Sequence, residues 1–262
     1  MFAPFMVDAW IAGTLVALVG GAVGFFVVLR GSAFLAHAIP NGSFAGAAAA
    51  SLLGINVLFG LGVASLGAAV SVGLLGRRGR RDVATALTLV FLLGLGALFL
   101  SWGNAYAPAV YGLLFGEILG VSVSQLWPTA LLCAVSLLAV ALLYRPLLLA
   151  AVLGESGAAR RGRAGSDLLF GLLVALATTL TVPVVGTTLI FSLLIGPAAG
   201  ARAFTDRPLR ALMLSVILAL ATVWIAIAAA YASGWPVGFY VGLISAGWYL
   251  VGRVWAAATA AR

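Results

Sequence analysis

The sequence predicts an all-α fold, a polytopic bundle of eight to nine membrane-spanning helices, and three observations support that prediction. Hydrophobic residues make up 64% of the 262 residues, charged residues only 8%, and the mean hydropathy is +1.22. Soluble domains carry roughly 25% charged residues, so a water-soluble globule is excluded. Long apolar stretches also recur along the whole chain with short links between them. We therefore expect residues 1–262 to form a single transmembrane domain in a lipid bilayer.

Nine apolar stretches are candidates for the spans, because a helix needs about 20 apolar residues to cross the hydrocarbon layer. They cover residues 9–29, 33–55, 57–75, 83–102, 126–143, 168–185, 187–201, 211–231 and 237–251. The stretch 168–201 is too long for one crossing and short for two. We interpret it as two crossings joined tightly at the helix breakers Pro183 and Gly186, which gives nine spans instead of eight.

The arginines predict how the bundle lies in the membrane. All 14 basic residues are arginines, and every group of them follows an odd-numbered span. Positive residues stay on the cytoplasmic side, so we expect the N-terminus outside and the C-terminus in the cytoplasm. The first apolar stretch has no preceding arginine, and we interpret it as a retained helix instead of a cleaved signal peptide. The net charge of +8 is thereby explained by topology, and no nucleic-acid partner is expected.

Several kinds of chemistry are excluded or disfavoured by composition. The chain has no lysine and therefore no GxxxxGK[ST] phosphate loop, so any ATP must bind to another chain. Cys133 is the only cysteine, which excludes an intrachain disulfide. The six acidic residues all fall at span ends or in links: Asp8, Asp82, Glu117, Glu155, Asp167 and Asp206. Carriers driven by proton or sodium gradients usually bury ionisable groups in their spans, so an external energy source is favoured.

The second span holds the only histidine, His37, followed by a Pro40-Asn41-Gly42 sequence that predicts a break in the helix. Non-helical backbone at membrane depth lines a wet cavity or lies buried in protein. His37 is then either a transit ligand for a transition-metal ion or an interfacial histidine bonded to a carbonyl. One imidazole holds an ion weakly, and two copies across a dimer axis would suit an ion that must also leave.

Two links between spans allow alternative interpretations. The basic link 145–167 contains Glu155, Arg160 and Arg161, and it either fixes topology or forms a docking helix for a cytosolic partner. On the opposite side, residues 105–120 resemble a helix at the outer interface. Glu117 in that stretch lies either at the outer mouth of a cation pathway or simply in solvent.

Three segments resemble the integral-membrane permeases of ABC importers for zinc, manganese and iron(II). LAHAIPNGSFAG at 35–46 resembles the second-helix motif of that family, and YGLLFGEILGVS at 111–122 resembles its outer-loop pattern. VVGTTLIFSLLIGPAAGARAF at 184–204 resembles its most specific block. The segments occur in the family's order and spacing. One departure is Ala33, which stands where typical members carry aspartate four residues before the histidine.

The resemblance implies a fold similar to the cobalamin and siderophore permeases, in a bacterial plasma (inner) membrane. It implies a transport subunit without enzymatic activity or a cofactor of its own, carrying a divalent metal ion, zinc or manganese. Its partners would be cytosolic ATPase subunits that bind ATP, an extracytoplasmic metal-binding protein and a second permease copy, most simply a homodimer. A stand-alone secondary carrier or facilitator is the alternative function, and a scaffold that transports nothing is a third.

The resemblance also suggests which residues do the work. We expect the transport pathway to involve the following residues: His37 as a weak metal site, with Asn41, Ser43, Ser192 and Pro197. Glu117 is expected at the outer mouth. Coupling to the ATPase is expected to involve Glu155, Arg160 and Arg161.

Overall fold

The computed structural model describes residues 4–76, 81–102, 118–152 and 160–260. Within these ranges the secondary structure is helical and contains no strand, which confirms the predicted all-α class. The helices are α1 (Pro4–Leu29), α2 (Ala33–Leu53), α3 (Val57–Leu75), α4 (Arg81–Trp102), α5 (Val123–Val152), α6 (Arg160–Val185), α7 (Thr187–Phe204), α8 (Pro208–Ser233) and α9 (Val237–Ala260). A short 3-10 helix, Ile118–Gly120, precedes α5.

Each predicted span has a helix at its position, and several helices run past the apolar stretch. α5 continues to Val152, beyond the predicted span 126–143, and α6 begins at Arg160, before the predicted span 168–185. A helix can continue past the end of its apolar residues. Asp167 therefore lies inside a helix and not in a link. Seven helices of the described chain are long and apolar enough to cross a membrane. α2 is not among them, and α7 contributes only a shorter apolar helix, Ile190–Phe204.

The predicted division of residues 168–201 into two helices is confirmed, and glycine makes it. α6 ends at Val185 and α7 begins at Thr187, with Gly186 between them at φ +86°. Glycine adopts this left-handed region without the steric cost that other residues meet there. Pro183 lies within the last turn of α6 and does not end it.

The predicted break at Pro40-Asn41-Gly42 is wrong, because α2 is helical from Ala33 to Leu53. Proline removes the backbone hydrogen bond to the residue four positions earlier, but nearby side chains bond to carbonyls around it. The Ser43 hydroxyl donates to the Pro40 carbonyl at 2.6 Å, and the Asn41 amide donates to the His37 carbonyl at 2.8 Å. Neither bond reaches the Ala36 carbonyl, which is the acceptor that loses its usual helical donor at Pro40. Membrane helices nevertheless tolerate proline without ending. No non-helical backbone therefore lines a cavity at this point.

Close glycine contacts fix α2 and α7 against their neighbours. A Cβ on Gly46 of α2 would lie 2.0 Å from the carbonyl oxygen of Gly60 in α3. A Cβ on Gly24 of α1 would lie 2.1 Å from the carbonyl oxygen of Leu194 in α7. Small residues let helix backbones approach in lipid, where hydrophobic burial no longer drives association. α2 and α7, which carry the predicted pathway residues, therefore pack closely against α3 and α1 respectively.

The bundle has an inner and an outer set of helices. In the most apolar stretch of α1, 72% of the residues are buried, whereas in those of α4, α5 and α9 the buried share is 22% each. The outer helices expose large apolar side chains such as Phe91, Leu142 and Leu250. Such surfaces suit contact with lipid, so the interior positions are those on α1, α2, α6, α7 and α8.

Candidate functional site

His37 lies at the contact between α2 and α7. It stands four residues into α2, about 6 Å of helix rise from Ala33, and its side chain is half-buried. The imidazole meets the ring of Phe191 on α7 edge-on, with 5.1 Å between ring centroids and 76° between planes. An aromatic neighbour in this arrangement restrains the orientation of the ring.

Asn41 lies one turn further along α2 and contacts the same histidine twice. Its Nδ2 donates to the His37 carbonyl oxygen at 2.8 Å and lies 3.5 Å from His37 Nδ1. The imidazole therefore has a hydrogen-bond donor on one edge and an aromatic ring beside it. We call His37, Asn41 and Phe191 the α2–α7 polar contact.

The remaining predicted pathway residues do not all join this contact. Ser192 follows Phe191 on α7 and is half-buried. Ser43 is completely buried, and its hydroxyl is already bonded to Pro40. It lies about 200° around the helix from Asn41, on another side of α2. Pro197 is buried in α7. The pathway roles of these residues stay predictions.

The residues expected at the outer mouth and at the ATPase interface are placed only in part. Glu117 and Glu155 lie outside the described residues, as does most of the stretch 105–120. Arg160 and Arg161 form the first two residues of α6. The expected docking helix between α5 and α6 therefore stays a prediction, and the structure places its C-terminal part within α6.

A second polar site, which sequence reasoning missed, joins three helices. The Asp167 carboxylate of α6 forms ion pairs with Arg30, just after α1, and with Arg81, the first residue of α4. Arg30 also donates to Ser166 Oγ at 3.1 Å, and its guanidinium lies 4.9 Å from the centroid of the Phe170 ring. The side chains of Arg30 and Asp167 are only 6% and 11% exposed, while that of Arg81 is 42% exposed. We call these residues the arginine–aspartate cluster.

One signal in the sequence could have revealed this cluster. Arg30, Arg81 and Asp167 each lie next to a different predicted span, and all three were expected at the same membrane face. The positions of the arginines were attributed to membrane topology alone, so no ion pair between an arginine and Asp167 was predicted. Which of them meets Asp167 depends on the packing of α1, α4 and α6.

The two sites differ in what they can do chemically. The arginine–aspartate cluster is an ion-pair network in which one carboxylate bridges two guanidinium groups. The α2–α7 polar contact contains one imidazole. Among the residues that the structure describes, no group of three or more His, Cys, Asp or Glu side chains is placed to hold a metal ion. An ion at His37 would take one imidazole from this chain and leave readily.

The described chain is thus a glycine-packed helical bundle whose interior helices carry the α2–α7 polar contact. The model of the ABC 3 transport family matches residues 2–256. The chain therefore belongs to this family.

Named relatives agree with the family. The manganese transport system membrane protein MntC of Listeria monocytogenes is 29% identical over 230 residues, covering 86% of this chain and 79% of that protein. The manganese import system permease protein ScaB of Streptococcus parasanguinis is 30% identical over 255 residues, covering 94% and 89%.

Solved structures agree on the fold. The structure of PsaBC from Streptococcus pneumoniae in complex with Fab matches with a TM-score of 0.83 and 26% identity, covering 96% of this chain and 91% of that one. An inward-facing putative metal-chelate type ABC transporter matches with a TM-score of 0.69. It is 16% identical and covers 95% of this chain and 85% of that one, so it shows the fold alone. The predicted likeness to ABC-importer permeases is thereby confirmed.

Proposed function

We propose that this protein is the permease subunit of an ABC importer that carries a divalent transition-metal ion, with manganese favoured over zinc. The observation that carries this proposal is the family match over residues 2–256 together with a lone imidazole at the contact of two interior helices. The names of the relatives favour manganese. Neutral imidazole accepts both ions, so the choice between them rests on those names.

His37 acts in this proposal as a transit ligand. The ion binds one imidazole from each of two permease copies. Two imidazole ligands bind it strongly enough for entry and weakly enough for release. Half-buried His37 lies on the side of α2 that faces α7, where a small rearrangement of either helix changes the access of an ion to the ring.

The driving force comes from other chains in this proposal. Cytosolic ATPase subunits bind ATP, and an extracytoplasmic binding protein delivers the metal. The chain lies in a bacterial plasma membrane with its N-terminus outside and its C-terminus in the cytoplasm. This orientation places the start of α6, with Arg160 and Arg161, on the side of the ATPase. The arginine–aspartate cluster then lies just inside that membrane face.

Reconstitution tests the proposal directly. Proteoliposomes holding this chain, its ATPase and its binding protein should accumulate ⁵⁴Mn²⁺ only with ATP, and excess unlabelled Mn²⁺ should compete better than Zn²⁺. An ATPase variant that cannot hydrolyse ATP is the matched control and should abolish uptake.

Three outcomes would contradict all or part of the proposal. Uptake that continues with the inactive ATPase would refute the coupling. Accumulation by this chain alone under an imposed proton or sodium gradient would favour the secondary carrier instead. Better competition by Zn²⁺ would keep the permease and overturn the choice of metal.

A further inference from the structure

We propose that Asn41 is a positioning residue that holds the neutral His37 imidazole in the tautomer with its proton on Nε2, and so keeps metal binding weak. The inference rests on the proposed function only for its transport consequence. The tautomer itself is a property of the α2–α7 polar contact. The observation that carries it is the placement of one amide nitrogen against both the His37 carbonyl and the His37 ring.

The orientation of the Asn41 amide follows from its shorter contact. The amide atom 2.8 Å from the His37 carbonyl oxygen is Nδ2. Rotating the amide by 180° would place Oδ1 there instead, and two oxygens that can only accept would face each other. The nitrogen therefore stays on this side, and its NH₂ group presents its other proton towards the ring.

The ring tautomer follows from the amide orientation. Neutral imidazole has one N–H and one lone pair. Asn41 Nδ2 lies 3.5 Å from His37 Nδ1, which is long for a hydrogen bond but places a donor opposite that atom. A lone pair on Nδ1 attracts this donor, whereas an N–H there would repel it. The proton is therefore favoured on Nε2.

This tautomer opposes metal binding at either nitrogen. An ion at Nε2 needs a lone pair there, so the proton must leave Nε2 and one must be taken up at Nδ1, facing the amide NH₂. An ion at Nδ1 must displace Asn41. Histidines that hold metals firmly usually donate their second N–H to a carboxylate or a carbonyl, and Asn41 presents the opposite polarity. Weak binding suits an ion that must be released on the other side.

Asn41→Asp reverses the polarity at this position. A carboxylate accepts from Nδ1–H and leaves the Nε2 lone pair free for metal. We expect about tenfold lower KM for Mn²⁺ uptake in the reconstituted complex, because partners of metal-bound histidines alter affinity by 10–100-fold, and a lower kcat because release slows. Asn41→Leu removes the donor without adding an acceptor and should lower KM less.

The double variant His37→Gln with Asn41→Asp is the matched control for charge. The added carboxylate attracts cations by itself, but without the imidazole the tautomer effect is absent. We expect Asn41→Asp to lower KM much less when His37 is replaced by glutamine than when the imidazole is present. An equal fall in KM with and without the imidazole would overturn the proposal.

The single histidine allows a spectroscopic test that needs no transport. With ¹⁵N-histidine labelling and a purification tag free of histidine, the ring nitrogens give signals from His37 alone. The neutral ring should show Nε2–H in the wild type and Nδ1–H in Asn41→Asp. The proposal would be overturned if the wild type showed Nδ1–H, or if the wild type and Asn41→Leu showed the same tautomer. The expected tautomers without any ATP-driven Mn²⁺ uptake would uphold it and overturn the proposed function.

Discussion

The α2–α7 polar contact and the arginine–aspartate cluster both place polar groups inside an apolar bundle, and they do so in opposite ways. The cluster matches two guanidinium groups with one carboxylate, a hydroxyl and an aromatic face. The polar contact gives the His37 ring one long amide contact and an aromatic edge. The charged groups of the cluster thus bond to one another across helices. The His37 imidazole, which is proposed to bind the transported ion, has weaker contacts.

This comparison predicts that the two sites respond differently to substitution. Variants of the cluster should lower stability and leave transport per folded molecule unchanged. Variants of the polar contact should do the reverse. Stability should depend most on Asp167, less on the two arginines and least on His37.

Asp167→Ala should have the largest effect. It removes the carboxylate that Arg30 and Arg81 share, at a site where Arg30 is only 6% exposed. Removing one partner of a buried ion pair costs about 3–5 kcal/mol. We expect a clear fall in the thermal unfolding midpoint in detergent. Asp206→Ala, at an exposed aspartate, is the control and should change little. Equal midpoints for the two variants would contradict a stabilising cluster.

Arg30→Met and Arg81→Met separate the two ion pairs of Asp167. Arg30 is buried, also donates to Ser166 and contacts Phe170, so we expect a loss of about 2 kcal/mol. Arg81 is 42% exposed, and exposed ion pairs contribute about 0–1 kcal/mol. Unfolding midpoints of the two variants measure this difference. A greater loss for Arg81→Met would show that burial does not control the strength of the cluster.

His37→Ala should have the smallest effect on stability and the largest on transport. The lost ring contact with Phe191 contributes about 1 kcal/mol. Uptake of Mn²⁺ in the reconstituted complex should fall about tenfold or more, because the transit ligand is gone, while binding to the ATPase is retained. Ser51→Ala, at an exposed position of α2, serves as the control. Unchanged uptake kinetics in His37→Ala would remove His37 from the pathway.

Two helix-breaking signals show where sequence reasoning succeeded and where it failed. Gly186 separates α6 from α7 as predicted, because its positive φ is a local property of the backbone. Pro40 does not break α2, which stays helical from Ala33 to Leu53. Proline signals a lost hydrogen bond, and the fate of the helix depends on what surrounds that loss.

The sequence by itself determined that this chain is a helical membrane bundle, where its helices lie, and that His37 is its one histidine. These properties depend on local composition and on motifs that neighbouring residues carry together. Only the tertiary structure decided that Asp167 meets Arg30 and Arg81, and that Phe191 meets His37. Contacts between helices depend on crossing points such as Gly46 against Gly60 and Gly24 against Leu194, and a single apolar sequence is compatible with many such crossings.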